Sequence, residues 1–134
     1  MFARIENWKL IDTVTQKYQY NFDAHDWVLD SRNIGLINDL GDITLFQYLE
    51  DGKYFGHFFY QSRGKQAIET AEEVLKEVFK NYPVEVIIGL TPITHLGARW
   101  LSKRIGFKEH GIINGLSGKE VLFIMTKSEY QEVN

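Results

Sequence analysis

The sequence passes from a strand pattern to a helix pattern at Arg63-Gly64, and this junction is the clearest candidate for a binding site. The first N–H groups of a helix have no partner inside it, and the helix dipole adds partial positive charge at that end. A phosphate or pyrophosphate suits such an end, and Gly64 allows the backbone to approach it closely. Arg63 and Lys65 add charge beside it. The alternative interpretation is a plain turn that carries two solvated cations.

His57 stands in the middle of the strand pattern before this junction, and it is the best candidate for a general base. The unperturbed pKa of an imidazole is about 6.5, which suits proton uptake at neutral pH. The competing interpretation is a core histidine hydrogen-bonded to a backbone carbonyl, because Gly56 and Phe58 flank it on an aromatic-rich strand. Among the four His and the carboxylates no pair has the spacing of metal ligands, so we predict no metal site.

The residues before the junction follow two different periods. Apolar residues between Ile5 and Val14 are spaced by three and four, which predicts a helix that ends near residues 18–21. The stretch 22–32 is mixed and polar, so we expect a loop or a short irregular helix there. A period of two then predicts an antiparallel meander. Its strands cover residues 34–37, 43–50 and 53–61, with turns at Gly41-Asp42 and Asp51-Gly52.

Two helices and a buried strand are predicted after the junction. Apolar residues between Ala67 and Phe79 follow the period of an amphipathic helix, which stops before Pro83. Residues 84–90 form a nearly continuous apolar run, which is typical of a strand buried on both faces. Another helix should open at Pro92 and Thr94 and close at Gly106.

The order of elements predicts a mixed sheet. Two last strands cover residues 108–114 and 120–126, with a turn at residues 117–119. Strand 84–90 follows a crossover helix, so we expect it to lie parallel to strand 53–61 with a right-handed connection. The predicted fold class is therefore α/β (α+β), a meander followed by a βαβ unit.

The composition limits the class of protein. A chain of 134 residues is in the size range of one domain, which we expect to span residues 1–134. The net charge of -3 gives no reason to expect a nucleic-acid partner. Cysteine is absent, which excludes disulfides, thiolate metal sites and a thiol nucleophile. The N-terminus lacks the apolar core of a signal peptide, and no window approaches the length of a membrane span, so we expect a soluble, cytoplasmic protein.

Two local patterns, in this order of elements, resemble the GNAT superfamily of acyl-CoA-dependent N-acyltransferases. The first is a strand, then RGKQA at residues 63–67, then a helix, where family members carry Arg/Gln-x-x-Gly-x-Gly/Ala. The second is the helix HLGARWLSKRIGF at residues 95–107, in which Ala98, Gly106 and Phe107 match the family pattern. Together they look closest to a divergent group of short acyltransferase-like proteins encoded by tailed bacteriophages. The resemblance covers roughly residues 33–127.

The resemblance implies a GNAT-like sheet with a V-shaped splay between its central parallel strands, and acetyl-CoA as co-substrate. It also implies that a backbone N–H near residues 58–60 stabilises the oxyanion. His95 stands where the family has Asn, and is expected either to cap its helix or to contact the CoA arm. The implied acyl-CoA contacts are Phe58, Phe59, Tyr60, Arg63, Gly64, Lys65, Gln66, Ala67, His95 and Ala98.

Three residues are predicted to be catalytic: His57 as the base, with Tyr60 and Ser102 near the leaving thiolate. Where the family often has a Tyr that protonates this thiolate, the chain has Ser102. A Ser hydroxyl is a poorer acid than a phenol of pKa about 10, so we expect it to hydrogen-bond the sulfur or a water. Tyr60 is the nearest phenol. Gln66 and Ile68 stand where the family has small residues, and are expected to narrow the phosphate site.

We therefore predict an acetyl-CoA-dependent N-acetyltransferase that acts by direct attack of an amine, in a small molecule or a protein. If the chain is phage-encoded, it would act in the host cytoplasm, and acetylation of a host protein is one form of this activity. The alternative is a GNAT-fold phage protein that no longer catalyses and acts in virion assembly or host interaction. Gln66, Ile68 and Ser102 motivate that alternative. Residues 121–126 are apolar enough to permit a homodimer through the last strands.

Overall fold

The computed structural model of the chain describes residues 2–17, 22–115 and 118–133. The predicted end of the first helix, at residues 18–21, and Ser117 in the predicted last turn lie outside these ranges. That residues 1–134 form one domain stays a prediction.

Helices and strands follow one another largely in the predicted order. The strands are β1 (Phe2–Arg4), β2 (Ile34–Asn38), β3 (Ile43–Glu50), β4 (Lys53–Phe59), β5 (Val86–Pro92), β6 (Lys108–Gly115) and β7 (Gly118–Thr126). The helices are α1 (Trp8–Lys17), α2 (Ala24–Leu29), α3 (Lys65–Asn81), α4 (Leu96–Arg104) and α5 (Lys127–Val133). The periodicity did not predict β1 or α5, both of which are short. For residues 22–32 the sequence allowed a loop or a short irregular helix, and the structure has the helix α2 there. Asp23 caps this helix by accepting a hydrogen bond from the Asp26 N–H.

The end of α4 follows its predicted glycine signal. Gly106 has a φ of 108°, and its N–H donates to the Lys103 carbonyl. The next N–H, of Phe107, donates to the Ser102 carbonyl. This left-handed C-terminal cap satisfies carbonyl groups that the helix leaves without a partner, and it turns the chain into β6.

The strands form one mixed sheet in the order β1-β2-β3-β4-β5-β7-β6. Strands β4 and β5 are parallel, as predicted, and every other neighbouring pair of the described sheet is antiparallel. β7 lies between β5 and β6. Within the described sheet the backbone of β7 is therefore paired on both sides and β6 is the edge, while a homodimer through the last strands stays a prediction.

The two parallel strands separate soon after they meet. Their register pairs only Lys53–Phe55 with residues 86–88, while both strands continue beyond these pairs. A Cβ built on Gly56 would lie 3.0 Å from Cγ2 of Ile87, so a larger residue there would require Ile87 to shift where the strands part. We call the space between Gly56–Phe59 and Gly89–Pro92 the strand gap. It is the predicted V-shaped splay.

The core has a large cluster on each face of the sheet, and a smaller third cluster joins Tyr60 to Ala67 and Ala71 of α3. α3 packs Val74, Leu75 and Val78 against apolar residues of β2, β3, β5 and β7 on one face. On the other face, Ile11 of α1 and Trp27 of α2 pack with Leu45 and Phe59. Side chains alternate along β4, so this strand contributes to both clusters.

Candidate functional site

A cavity of about 440 Å³ occupies the strand gap and extends towards the start of α3 and along α4. Phe58 and Tyr60 belong to the α3 face of the sheet, whereas Phe59 packs on the α1/α2 face. All three residues line the cavity. Its volume is in the range of small-molecule and cofactor sites. Its wall comprises residues 56–60, 62–64, 67, 87, 89–92, 95, 97–98, 100–102, 107 and 123.

The backbone at the start of α3 is arranged to receive an anion. Gly64 has φ 57° and ψ −130°, a conformation that residues with a Cβ rarely adopt, and a Cβ added there would meet nothing within 4 Å. The N–H groups of Lys65, Gln66 and Ala67 make no hydrogen bond within the described residues. Free N–H groups and the dipole of a 17-residue helix therefore meet beside an open cavity wall.

The predicted phosphate contacts do not all face the cavity. Arg63 lines it, but its Nη1 donates to the carbonyls of Tyr60 (2.6 Å) and Ser62 (2.9 Å), so part of the guanidinium holds the loop. Lys65 and Gln66 are exposed, and neither is part of the described cavity wall. Ile68 is also outside this wall. The contacts of Lys65 and Gln66 with acyl-CoA, and the narrowing of the phosphate site by Gln66 and Ile68, stay predictions.

A buried carboxylate that the sequence analysis missed holds the β4–α3 loop (residues 60–64). Oδ1 of Asp42 accepts hydrogen bonds from the N–H groups of Gln61 (2.7 Å) and Ser62 (3.0 Å). Oδ2 accepts from the Thr70 hydroxyl of α3 at 3.1 Å. Burial raises the pKa of Asp42, but the hydrogen bonds from Ser62, Gln61 and Thr70 lower it by more, so the net shift is downward. Asp42 is therefore an ionised anchor of the loop.

His57 lies among phenylalanine rings on the α1/α2 face. Its ring stacks on Phe55 (5.2 Å between centroids) and Phe59 (6.3 Å), and it meets the edge of Phe22 (6.1 Å). Burial lowers the pKa of His57 to about 4. The imidazole is therefore neutral at pH 7, which allows it to accept a hydrogen bond but makes it a weak base.

Tyr60 lines the cavity with its ring, which stacks on Phe58 at 5.3 Å. Its hydroxyl lies 2.8 Å from Oγ1 of Thr44 in the core. Burial raises the pKa of Tyr60 well above its usual range, although the hydrogen bond to Thr44 opposes this. The phenol is thus held in the core rather than presented to the strand gap, so the geometry does not favour the predicted role of Tyr60 as a general acid.

Helix α4 supplies the opposite wall. His95 caps it, because Nδ1 accepts a hydrogen bond from the Ala98 N–H at 3.2 Å, and it also lines the cavity. Both predicted roles of His95 are compatible with this position. Ala98 lines the same wall, as predicted, and Ser102 is half-buried there one turn further on. The structure thus brings His57, Ser102 and the start of α3 to one cavity.

The wall also contains a residue that no motif indicated. Gly89 lies in the interior of β5, and a Cβ built there would meet nothing within 4 Å. Where β5 borders the strand gap, its backbone is therefore not covered by a side chain of its own. A glycine inside a predicted buried strand was the available signal, since such a glycine often marks the close approach of a ligand.

Within the described residues, no group of three or more His, Asp or Glu side chains is placed to hold a metal ion. No helix in the described part of the chain is long and apolar enough to cross a membrane.

Comparison with solved structures identifies the fold. Spermidine N-acetyltransferase from Vibrio cholerae, solved with CoA and spermine, superimposes with a TM-score of 0.76 at 13% identity, covering 98% of this chain and 97% of that one. An aminoglycoside acetyltransferase solved with coenzyme A gives 0.70 at 11% identity, over 98% and 97% of the two chains. A GNAT-family acetyltransferase from Bacillus anthracis gives 0.62 at 16% identity, over 95% of each.

Protein-family models and curated proteins gave no match to the chain. The structural likeness nevertheless extends over nearly the whole chain and over nearly the whole of each neighbour. The chain therefore has the GNAT fold, as its two motifs predicted.

Proposed function

We propose that the chain is an acyl-CoA-dependent N-acyltransferase, with acetyl-CoA as its co-substrate and an amine as acceptor. The observation that carries the proposal is the cavity that fills the strand gap and reaches the uncapped start of α3. Acyl-CoA has phosphate groups at one end and a narrow arm that carries the thioester at the other. The site likewise has an anion-binding helix start at one end and the strand gap at the other. The neighbours solved with CoA have the same fold.

The start of α3 would hold the pyrophosphate. The N–H groups of residues 65–67 and the helix dipole provide the attraction, and Gly64 leaves the approach open. Arg63 can add a charged contact through the nitrogens that do not bind the loop. Ala67 and Ala98 keep the path along α3 and α4 wide enough for the arm.

The strand gap would hold the thioester. Beyond Phe55, β4 has no ladder partner on the β5 side within the described sheet. We propose that a backbone N–H of β4 or of the loop after it, near residues 58–60, stabilises the oxyanion beside this gap. Gly89 leaves room on the opposite side. Ser102 is the hydroxyl that we propose to hydrogen-bond the departing sulfur.

The acceptor amine would approach His57 from the α1/α2 face. An alkylammonium has a pKa of about 10.4, so proton transfer to an imidazole of pKa about 4 is uphill by about 9 kcal/mol. His57 is therefore proposed to accept a hydrogen bond from the neutral amine and orient it, while water takes the proton of the ammonium before the attack. This revises the predicted role of His57 while keeping it at the reacting centre. As the nitrogen bonds to the thioester carbon the C–S bond breaks, and the proton that the nitrogen loses ends on the departing thiolate by way of water, which gives the amide and free CoA thiol.

The experiment has two parts. Acetyl-CoA is titrated into the chain by calorimetry, and release of free CoA thiol is followed with a panel of amines that includes spermidine, lysinamide and an aminoglycoside. Binding together with amine-dependent thiol release supports the proposal. No binding at millimolar acetyl-CoA would contradict it.

The non-catalytic phage-protein alternative rests on Gln66, Ile68 and Ser102. Neither Gln66 nor Ile68 is part of the described cavity wall. We favour the enzyme because the cavity reaches the uncapped start of α3, where a co-substrate with phosphate groups can bind. Binding of acetyl-CoA without transfer to any amine of the panel would favour the alternative.

We also propose that the chain pairs through β6 as a homodimer. Ile112 and Ile113 on this edge strand are 61% and 40% exposed. Exposed apolar side chains that lie together favour an interface between copies of the chain. Light scattering on Ile112→Lys should report a smaller particle than the wild type.

A further inference from the structure

Asp42 is a fully buried carboxylate, and it lies outside the cavity wall. It ends the turn between β2 and β3, where its N–H donates to Oδ1 of Asn38 at 3.0 Å. An ionised side chain in the core is costly unless hydrogen bonds compensate it. Each of its two oxygens makes such bonds, and they go to different parts of the chain.

The two oxygens of Asp42 bind the chain on either side of Gly64. Oδ1 binds the N–H groups of Gln61 and Ser62, which lie three and two residues before the glycine. Oδ2 binds Thr70, which lies in the second turn of α3 and is itself buried. The Thr70 hydroxyl also accepts a hydrogen bond from Nδ2 of Asn38 at 3.2 Å. One carboxylate thus fixes the β4–α3 loop relative to the helix that follows it.

Gly64 needs this support because it lacks restraints of its own. It has no side chain, and its φ of 57° is one of several that glycine can adopt at low cost. Within the described residues, its backbone carbonyl accepts a hydrogen bond from the Ile68 N–H at 3.2 Å. The direction of the next N–H groups therefore depends on the bonds on either side of it.

Asp42 also decides which N–H groups remain for a ligand. It uses those of Gln61 and Ser62, so an anion finds the groups of residues 65–67 instead. This selection places the anion at the axis of α3, where the helix dipole is strongest.

We propose that Asp42 is the positioning residue of the pyrophosphate site: its carboxylate presets the β4–α3 loop so that the first N–H groups of α3 face the ligand. The inference rests on the proposed function. Asp42 touches neither substrate, and it acts through the loop.

The test compares three variants by calorimetric titration with CoA. Asp42→Ala removes all three bonds and should raise the Kd of CoA by about tenfold or more. Asp42→Asn keeps an oxygen for the two backbone donors and an NH₂ group that can donate to Thr70, so it should stay within about threefold of the wild type. Asn33→Ala is the matched control. Asn33 also ties two segments together, at Trp27 and Tyr48, but away from the cavity, so CoA should bind unchanged.

Kinetics add a readout that general destabilisation would not produce. Asp42→Ala should raise the KM for acetyl-CoA and leave the KM for the amine within about twofold, because the acceptor side does not depend on this loop. If Asp42→Ala does not fold, Thr70→Val removes the bond to Asp42, together with the one from Asn38, at nearly constant volume and should raise the Kd of CoA by about threefold.

Three results would overturn the inference. They are wild-type affinity in folded Asp42→Ala, an equal loss in Asn33→Ala, and an Asp42→Asn variant as weak as Asp42→Ala. The rate of hydrogen exchange at the Gln61 and Ser62 amides distinguishes failure of this inference from failure of the proposed function. A chain that never binds CoA contradicts the function, whereas unchanged exchange at both amides in Asp42→Ala contradicts the positioning role.

Discussion

The two sides of the cavity are built by different means. On the α3 side, hydrogen bonds hold the backbone: Asp42 and Arg63 fix the β4–α3 loop, and the N–H groups of α3 stay open. On the α1/α2 side, ring contacts dominate, with His57 between Phe55 and Phe59. Hydrogen bonds specify one geometry, whereas ring packing tolerates exchange among apolar residues. The difference suits a site that binds a constant phosphate-bearing co-substrate at one side and a particular acceptor at the other.

The largest effect is expected where the two sides meet, in the strand gap. Gly89→Val places a β-branched side chain on the bare wall of β5, where strand propensity tolerates it. Thiol release with the best amine should fall by about 100-fold, because the reacting groups no longer meet in line. The melting temperature should not fall. Turnover at the wild-type rate would show that the gap is not the reaction site.

A smaller loss is expected at the start of α3. Gly64→Ala forces a Cβ into a conformation with φ 57° and into the open approach to the N–H groups, so the Kd of CoA should rise about tenfold. Gly111→Ala is the control, because Gly111 has a φ of 120° and an equally open Cβ position but lies on β6. An equal loss of affinity in both variants would attribute the effect to backbone strain alone.

Substitution of His57 on the α1/α2 side should change the free energy of unfolding more than the affinity for CoA. Burial lowers the pKa of His57 to about 4 from its ordinary value of 6.5, so the unfolded chain binds more protons than the folded chain below about pH 6.5. This contribution to stability is complete above pH 6.5 and is lost as the pH falls towards 4. Urea unfolding at pH 7.5 and 4.5 should differ by about 2 kcal/mol more in the wild type than in His57→Phe.

His57→Phe should also bind CoA with wild-type affinity, since the ring packs among phenylalanines and lies away from the start of α3. A pH dependence identical to that of the wild type would show that His57 does not titrate as its burial requires.

The smallest effects are expected on the exposed side chains of the first turn of α3. Lys65→Ala and Gln66→Ala should each change the Kd of CoA by about twofold or less, since both side chains are outside the described cavity wall and an exposed charge contributes little. Titration at two salt concentrations checks this. A loss at Lys65 as large as that at Gly64 would show that side-chain charge, and not the backbone, binds the phosphates.

The same contrast explains what the sequence could predict. Periodicity indicated α3, β5 and the parallel pairing, since each has a long apolar pattern and a clear end signal. Gly64 and Gly106 were predictable because positive φ favours glycine. Strand β1 and helix α5 are short, and their positions depend on tertiary contacts, which no period encodes.

Asp42 was missed for a related reason. It looked like an ordinary turn residue after Gly41, and its partners Gln61 and Ser62 lie 19 and 20 residues away. The roles of Lys65, Gln66 and Ile68 stay predictions, because a motif gives their order along the helix, while the packing of α3 decides which of them faces the cavity. Tyr60 shows the same limit: its type suits an acid, but Thr44 engages its hydroxyl.

The most direct measurement is a crystal structure of the chain with CoA. We expect the pyrophosphate to lie within hydrogen-bond distance of the N–H groups of residues 65–67, and the sulfur to lie in the strand gap beside Gly89. CoA bound elsewhere, or an empty strand gap at saturating CoA, would contradict it.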